Sequence, residues 1–427
     1  MVDIVGLVAV NSVDFIHKVF DLYENRNLFA LIKKNNTTNT SFNFTSVIEP
    51  DESGGWFTQK IQPIQSNDLA QVVFTSGTTG ASKAIALSHD NLADTVKRLI
   101  DVMELDDTIS EYVGVPVTYS FGLGRIRTIA AVGGRSFIPS NGFNIDELIS
   151  MIDSGEINSI SAVPSQWRIV FASAKKFQSC ANKIKWIEIG SQFMSADEKR
   201  TLLKIFPNAK IIQHYGLTEA SRSTFLKIHD PSENLESVGS PAGNIDVRVN
   251  TNGILEVKGG NVSPGQFLGG KLVSLTDDDG WLLTGDKARI ENGSVFYEGR
   301  ADDIINCGGV KISPEVFLQQ LTNEMNEPAA IDVSKYFDPI RGEGILIAKE
   351  KNCEIGEIEL EKIALKVCAF YDGNISSAIK IITLEKLPRT STGKVKRTEI
   401  TRIYEKEKNA ETGSADNSFN EIFNNLR

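Results

Sequence analysis

The chain has 427 residues, 41% of them hydrophobic and 23% charged, and a formal charge of -10 at pH 7. That length can bury several cores and allows one to three domains. The negative charge argues against a general affinity for the nucleic-acid backbone, which requires a net basic face, and no stretch approaches the ~18 to 20 apolar residues of a membrane span. Met1 to Val10 is apolar but lacks a basic leader or a small-residue cleavage site, so neither export nor insertion is expected and the expected compartment is the cytoplasm. Cys180, Cys307, Cys353 and Cys368 have no CxxC spacing, and His17, His89, His214 and His229 form no HExxH pair. Free thiols are expected, not a disulfide framework or a zinc site.

From about 71 to 213 short β-branched runs alternate with amphipathic stretches, the pattern of a largely parallel sheet covered by helices. The expected strands are Gln71 to Thr75, Ile157 to Val163, Lys185 to Ile189 and Ala209 to Gln213. A helix is expected over 90–103, with Leu92, Val96, Leu99, Ile100 and Met103 on one face, and another over 196–206, opened by Ser195 and Glu198 in capping-box spacing. Between about 238 and 299 the texture changes to short strands separated by Asn252-Gly253 and Asn292-Gly293, which signals hairpins and a β-rich subdomain. Beyond Arg300 come a helix at 314–325, a strand at 344–349, a helix at 356–369, a strand at 378–385 and a Pro, Gly, Ser and Thr-rich loop at 388–394. The last stretch, 406–427, is a polar, Asn-rich tail that is expected to fray.

The sharpest local signal is Thr75-Ser76-Gly77-Thr78-Thr79-Gly80-Ala81-Ser82-Lys83, set between two apolar runs. Two glycines permit tight turns, so hydroxyls and successive N–H groups can converge on one point, which suits a polyphosphate. It is not a Walker A loop, because Gly-Lys-Ser/Thr is not contiguous. Three later stretches join it: His214-Tyr215-Gly216-Leu217-Thr218-Glu219 after an expected strand, Thr284-Gly285-Asp286 followed by Gly299-Arg300-Ala301-Asp302, and Pro388 to Gly393-Lys394. A carboxylate such as Asp286 suits a vicinal diol because it can accept two hydrogen bonds.

Taken in order, these motifs resemble the adenylate-forming superfamily of acyl-CoA synthetases, peptide-synthetase adenylation domains and luciferases, over residues 71 to 400. The resemblance implies a large N-terminal α/β domain over 1–300 with its β-rich subdomain at 238–299, and a small hinged α+β lid domain over 301–405. It implies that Thr75 to Gly80 and Lys83 cradle phosphates, that Tyr215 packs on adenine with His214, Gly216 and Leu217 alongside, and that Thr218 meets the α-phosphate. Glu219 would help hold Mg2+, Asp286 and Arg300 the ribose, and Lys394 would be the adenylation lysine. Gly190 and Ser191 occupy the place of an adenine-pocket segment of which only the first glycine is kept. Asp302 would be the hinge. Gly308 and Gly309 would line the path of a thiol, since glycine lets a pantetheine arm approach the backbone closely.

The activity so implied is ATP-dependent conversion of a small carboxylic acid to an acyl-adenylate, followed by transfer to coenzyme A or to the phosphopantetheine arm of an acyl carrier protein. An amine acceptor is a third possibility within the class, and a noncatalytic acyl-AMP or nucleotide-binding module is the competing reading. The presence of Lys83, Glu219, Asp286, Arg300 and Lys394 speaks against that module. Departures are visible as well. The segment before the phosphate loop is shorter than the family's, although Leu7 to Leu31 still has the look of a helix-strand unit, so internal shortening is expected. Tyr119 stands where a pocket-gating histidine often sits, and Ala81 and Ala84 replace a proline and a glycine. Tyr119, Phe121, Trp167, Ile189 and His214 are candidates by position for an acyl pocket suited to an apolar or aromatic acid, with core packing as the alternative for each.

Overall fold

The computed structural model describes residues 3–32, 44–75, 83–192, 194–301, 303–307, 310–325, 330–338, 341–371, 375–390 and 393–408. Its contacts divide the chain into two compact units, Met1–Thr284 with Ala288–Tyr297, and Gly285–Lys287 with Glu298–Arg427. The fold is mixed α/β. Among the described residues no helix is long and apolar enough to cross a membrane.

In the first unit a seven-stranded sheet runs in the order Lys271–Val273, Gly265–Leu268, Lys83–Ser88, Leu69–Thr75, Phe29–Ile32, Val5–Val8, Ser46–Ile48. An eight-stranded sheet has Lys210–Tyr215, Trp186–Ile189, Ser159–Ala162, Ser110–Val113 and Arg135–Ile138 as consecutive parallel neighbours. Three of these strands, 110–113, 159–162 and 186–189, are buried at every residue. Parallel strands covered on both faces read this way, as continuous runs and not as alternation. The expected strand boundaries move by at most two residues, and the capping box at Ser195 and Glu198 forms as spaced.

Helix His89–Met103 starts at a second capping box, in which Ser88 Oγ accepts from the Asn91 amide and Asn91 Oδ1 accepts from the Ser88 amide. It packs against helix Ser120–Val132. On one side Leu92 meets Val73, Ile85 and Leu87 of the first sheet; on the other, Leu99, Met103 and Ile129 meet Trp186 and Ile212 of the second. The 120–132 helix has no counterpart among the sequence expectations. Gly122 and Gly124 each cost a helix about 1 kcal/mol relative to alanine, and burial on all sides, not propensity, holds it.

The 238–299 region is strand-rich, and four strands, 246–249, 254–258, 282–291 and 294–300, make a separate sheet. Asn292 and Gly293 both have positive φ, as a two-residue primed hairpin turn needs. Gly265–Leu268 and Lys271–Val273 instead join the first sheet beside Lys83–Ser88, because Phe267 buries among Ala84, Ala86 and Val72 there.

The second unit has a five-stranded sheet covered by helices Pro314–Met325 and Glu357–Cys368, with Phe317, Leu321, Val333, Ile345, Ile347 and Leu360 in its core. Arg397 ties its C-terminal segment to that sheet through Asp332 Oδ1 at 2.7 Å and to helix Pro314–Met325 through Glu315. Strand Ile331–Asp338 completes the sheet and was not among the expected strands.

Candidate active site

Strands Leu69–Thr75 and Lys83–Ser88 are antiparallel neighbours with Thr75 opposite Lys83, so the phosphate-loop motif joins their ends. Ser76, Gly77, Thr78, Thr79 and Gly80 lie outside the described residues, and Lys83 is exposed where the second strand begins.

Gly190 ends strand Trp186–Ile189 directly beside His214. A methyl group on Gly190 would lie 2.1 Å from His214 Cε1, so only glycine lets the imidazole rest on this backbone. Ser191 follows with positive φ and is exposed. Tyr215, the last residue of strand Lys210–Tyr215, lies 6.1 Å from the Tyr297 ring. After it the chain turns sharply: Leu217 N donates to Ala220 O and Ala220 N to Leu217 O. That turn presents Thr218 and Glu219, both half-buried, with Glu219 O accepting from Ser263 N at 2.8 Å. The Glu219 carboxylate has no partner among the described residues, and no group of three metal-ligating side chains occurs among them.

Behind this turn lies a cluster of buried charges on which the sequence reading was silent. Arg125 lies between Glu111 and Glu188, with Nε donating to Glu111 Oε1 at 2.9 Å and Nη1 3.1 Å from Glu188 Oε2. Arg222 Nε donates to Glu188 Oε1 at 2.8 Å, and His214 Nδ1 is 2.7 Å from the same oxygen. All four charged residues are at most 1% exposed. Burial by itself would raise the Glu188 carboxyl, but Arg222, Arg125 and His214 hold it well below the usual carboxylate range. His214 is pushed below its ordinary value by burial, against the pull of Glu188, and therefore stays neutral near pH 7. The sequence signal is a glutamate inside each of the apolar strands SEYV and WIEI and Arg125 inside an apolar helix.

The acyl-pocket candidates are placed as follows. Ile189 and Trp167 are fully buried in the core of the second sheet. Phe121 packs edge-on against His214 at 4.7 Å, and Tyr119 is half-buried at the start of helix 120–132, its carbonyl accepting from Leu123 N. None of them lines the cavity of about 30 Å³ between helices 89–103 and 120–132, which Gln71, Ser120, Arg127, Thr218, Arg222 and Asn261 help to wall.

In the second unit Asp286 is 2% exposed and Arg300 Nη1 lies 3.1 Å from its Oδ1. Ala301 N donates to Gly285 O, which keeps the two strands in this register. A carboxylate and a guanidinium side by side offer both acceptors and donors to a polar ligand. Asp302, Gly308 and Gly309 lie outside the described residues. Lys394 is exposed on a tight loop in which its amide donates to Thr390 Oγ1 and Thr390 N donates to Lys394 O.

A family model described as AMP-binding enzyme matches residues 13–268. The chain is similar to 4-coumarate–CoA ligase-like 2 of Arabidopsis thaliana, with 26% identity over 376 residues, 83% of this chain and 64% of that protein. It is similar to 2-succinylbenzoate–CoA ligase of Listeria monocytogenes, with 24% identity over 79% of this chain and 70% of that one. It thus spans less than two thirds of the length of the first of these relatives. Its fold is similar to that of ATP-bound MatB from Rhodopseudomonas palustris, with a TM-score of 0.78, 21% identity, and coverage of 94% of this chain and 88% of that one. It is also similar to o-succinylbenzoate CoA synthetase (MenE) from Bacillus subtilis in complex with OSB-AMP, with a TM-score of 0.75, 20% identity and coverage of 93% and 88%.

Proposed function

Because the chain belongs to the AMP-binding enzyme family, we propose that it joins a carboxylic acid to AMP at the expense of ATP and passes the acyl group to a thiol. In the first half-reaction a carboxylate oxygen bonds to the α-phosphorus as the bond to pyrophosphate breaks. In the second, a thiol sulfur bonds to the acyl carbon, AMP departs and the thiol proton is released. Coenzyme A is the acceptor that fits the ligases to which the chain is similar; a carrier-protein phosphopantetheine arm offers the same sulfur.

The observation that carries this reading is the Asp286–Arg300 pair, a nearly buried carboxylate beside a guanidinium at the motif the family resemblance assigns to ribose. The vicinal hydroxyls of a ribose can donate to Asp286 and accept from Arg300. Tyr215 offers its ring to adenine. ATP and a carboxylate are both anions, so their reaction needs cations and oriented donors around the α-phosphorus, and the phosphate-loop amides, Lys83, Thr218 and Lys394 are the groups in this chain suited to that task. Glu219 fits Mg2+ as a single unpaired carboxylate, since that ion usually keeps waters and phosphate oxygens as its other ligands; when bound it would screen the phosphate charge.

ATP–pyrophosphate exchange across a panel of acids tests the proposal, with thioester formation from coenzyme A measured on any acid that exchanges. Exchange with at least one acid is expected. Lys394→Ala should lower it by ~10²- to 10³-fold, the usual cost of removing one preorganised charge, while sparing thiol transfer from preformed acyl-adenylate. Nucleotide binding with no exchange for any acid would favour a noncatalytic module, and amide formation with an amine in place of a thioester would reassign the acceptor.

A further inference from the structure

Resting on that reading, we propose that the cavity beside Thr218 is an anion subsite built on Arg127, and that the acid this protein activates carries a second carboxylate. Arg127 is 5% exposed, and among the described residues its one side-chain hydrogen bond is from Nη2 to the Gln71 amide oxygen at 2.6 Å. Among the described residues no carboxylate pairs with it and its Nε has no hydrogen-bond partner. Burial draws the guanidinium down to about 10, which leaves it cationic at neutral pH. A buried charge without a counter-ion is costly unless something neutralises it.

The cavity supplies the room. Among the described residues its walls include two guanidiniums, those of Arg127 and Arg222, and no acidic residue. Arg222 is already engaged by Glu188, so Arg127 is the uncompensated charge. Asn261 Oδ1 is a second buried atom of the wall without a partner among the described residues, and as an acceptor it suits a water or hydroxyl accompanying the anion. At about 30 Å³ the space takes a group the size of a carboxylate and its water, not a long chain.

Thr218 on the wall connects the cavity with the proposed adenylation site. The described ends of the phosphate loop lie away from it. Gln71 is opposite Leu87, whereas the phosphate loop leaves the same hairpin at Thr75 and Lys83, four residues further on, about 13 Å along a strand. A diacid bridges the two places: one carboxylate at Thr218 reacts, and the other sits on Arg127.

The test uses exchange with matched acids: malonate against its apolar isostere 3-methylbutanoate, succinate against 4-methylpentanoate, and glutarate against 5-methylhexanoate. At least one diacid should exceed its isostere 10-fold or more in kcat/KM. Arg127→Met should reverse that ratio, and Arg127→Lys, which retains the cation, should preserve part of it. A wild type that prefers every isostere, or an Arg127→Met variant that slows both members of a pair by one factor, would overturn the subsite. If no acid exchanges, the adenylation reading fails, and the subsite is then judged by melting: a diacid must raise the melting temperature of the wild type and not of Arg127→Met. No shift in the wild type, or an equal Arg127-dependent shift with pyrophosphate, sinks it.

Discussion

Glu188 and Arg127 are both buried charges in the first unit, and their surroundings differ in kind. Glu188 is met by two guanidiniums and an imidazole, while Arg125 of that cluster also meets Glu111, whose Oε2 accepts from Ser159 Oγ at 2.6 Å. Arg127, two residues along the helix from Arg125, has one amide oxygen and a cavity. In the first place desolvation is offset within the fold, so the charges serve to hold strands 110–113 and 186–189 and the residue before Tyr215 in fixed register. In the second the offset is missing, and a ligand is the natural source of it. A buried charge is informative about binding when its counter-charge is absent, not merely because it is buried.

The largest effect should come from breaking the paired region. Among the described residues Glu188→Leu leaves Arg125 with Glu111 alone and Arg222 with no carboxylate, and it should lower stability by ~3 to 5 kcal/mol, seen as a lower urea midpoint with the slope retained. A loss under 1 kcal/mol would mean the cluster is not the anchor described. Next in size is Gly190→Ala. Its methyl cannot share space with the His214 ring, and the forced shift should cost ~1 to 3 kcal/mol and weaken nucleotide binding together; unchanged ATP affinity would detach this segment from the adenine site.

Acid sharpens the same contrast. A carboxyl held below its ordinary 4.5 contributes stability that is complete above that pH and drains as the pH falls below it. A histidine held below 6.5 acts in the same direction, because the unfolded chain takes up its proton first. Stability should therefore decline from about pH 6.5 downward, and Glu188→Gln should flatten the part of the curve below 4.5. The smallest effect is expected at Arg127. In the absence of substrate, Arg127→Met should change stability by no more than about 1 kcal/mol, since the lost bond to Gln71 is offset by relief of an unpaired buried charge. A loss as large as that of Glu188→Leu would make Arg127 a structural residue and erase the contrast.

The sequence alone determined much that is local. The alternation of β-branched runs and amphipathic stretches located parallel strands 159–162, 186–189 and 210–215 but not 110–113 or 135–138, and it located helix His89–Met103; Asn292-Gly293 located a hairpin, and the order of short motifs pointed to the family. These features are legible because a cap, a turn or a phosphate loop is built by contiguous residues whose backbone preferences act within a few positions. Tertiary structure decided the rest. Helix Ser120–Val132 exists because both sheets bury it, and strands 265–268 and 271–273 joined the first sheet because Phe267 found its core there. Gln71, Arg127, Thr218 and Asn261 share one cavity, and Glu111, Glu188 and Arg222 share one arginine-rich cluster, across separations that no periodicity spans. Whether a buried arginine finds a carboxylate or an empty space depends on which distant strands fold against it, and pairwise electrostatics at a few ångströms has no signature in a linear chain.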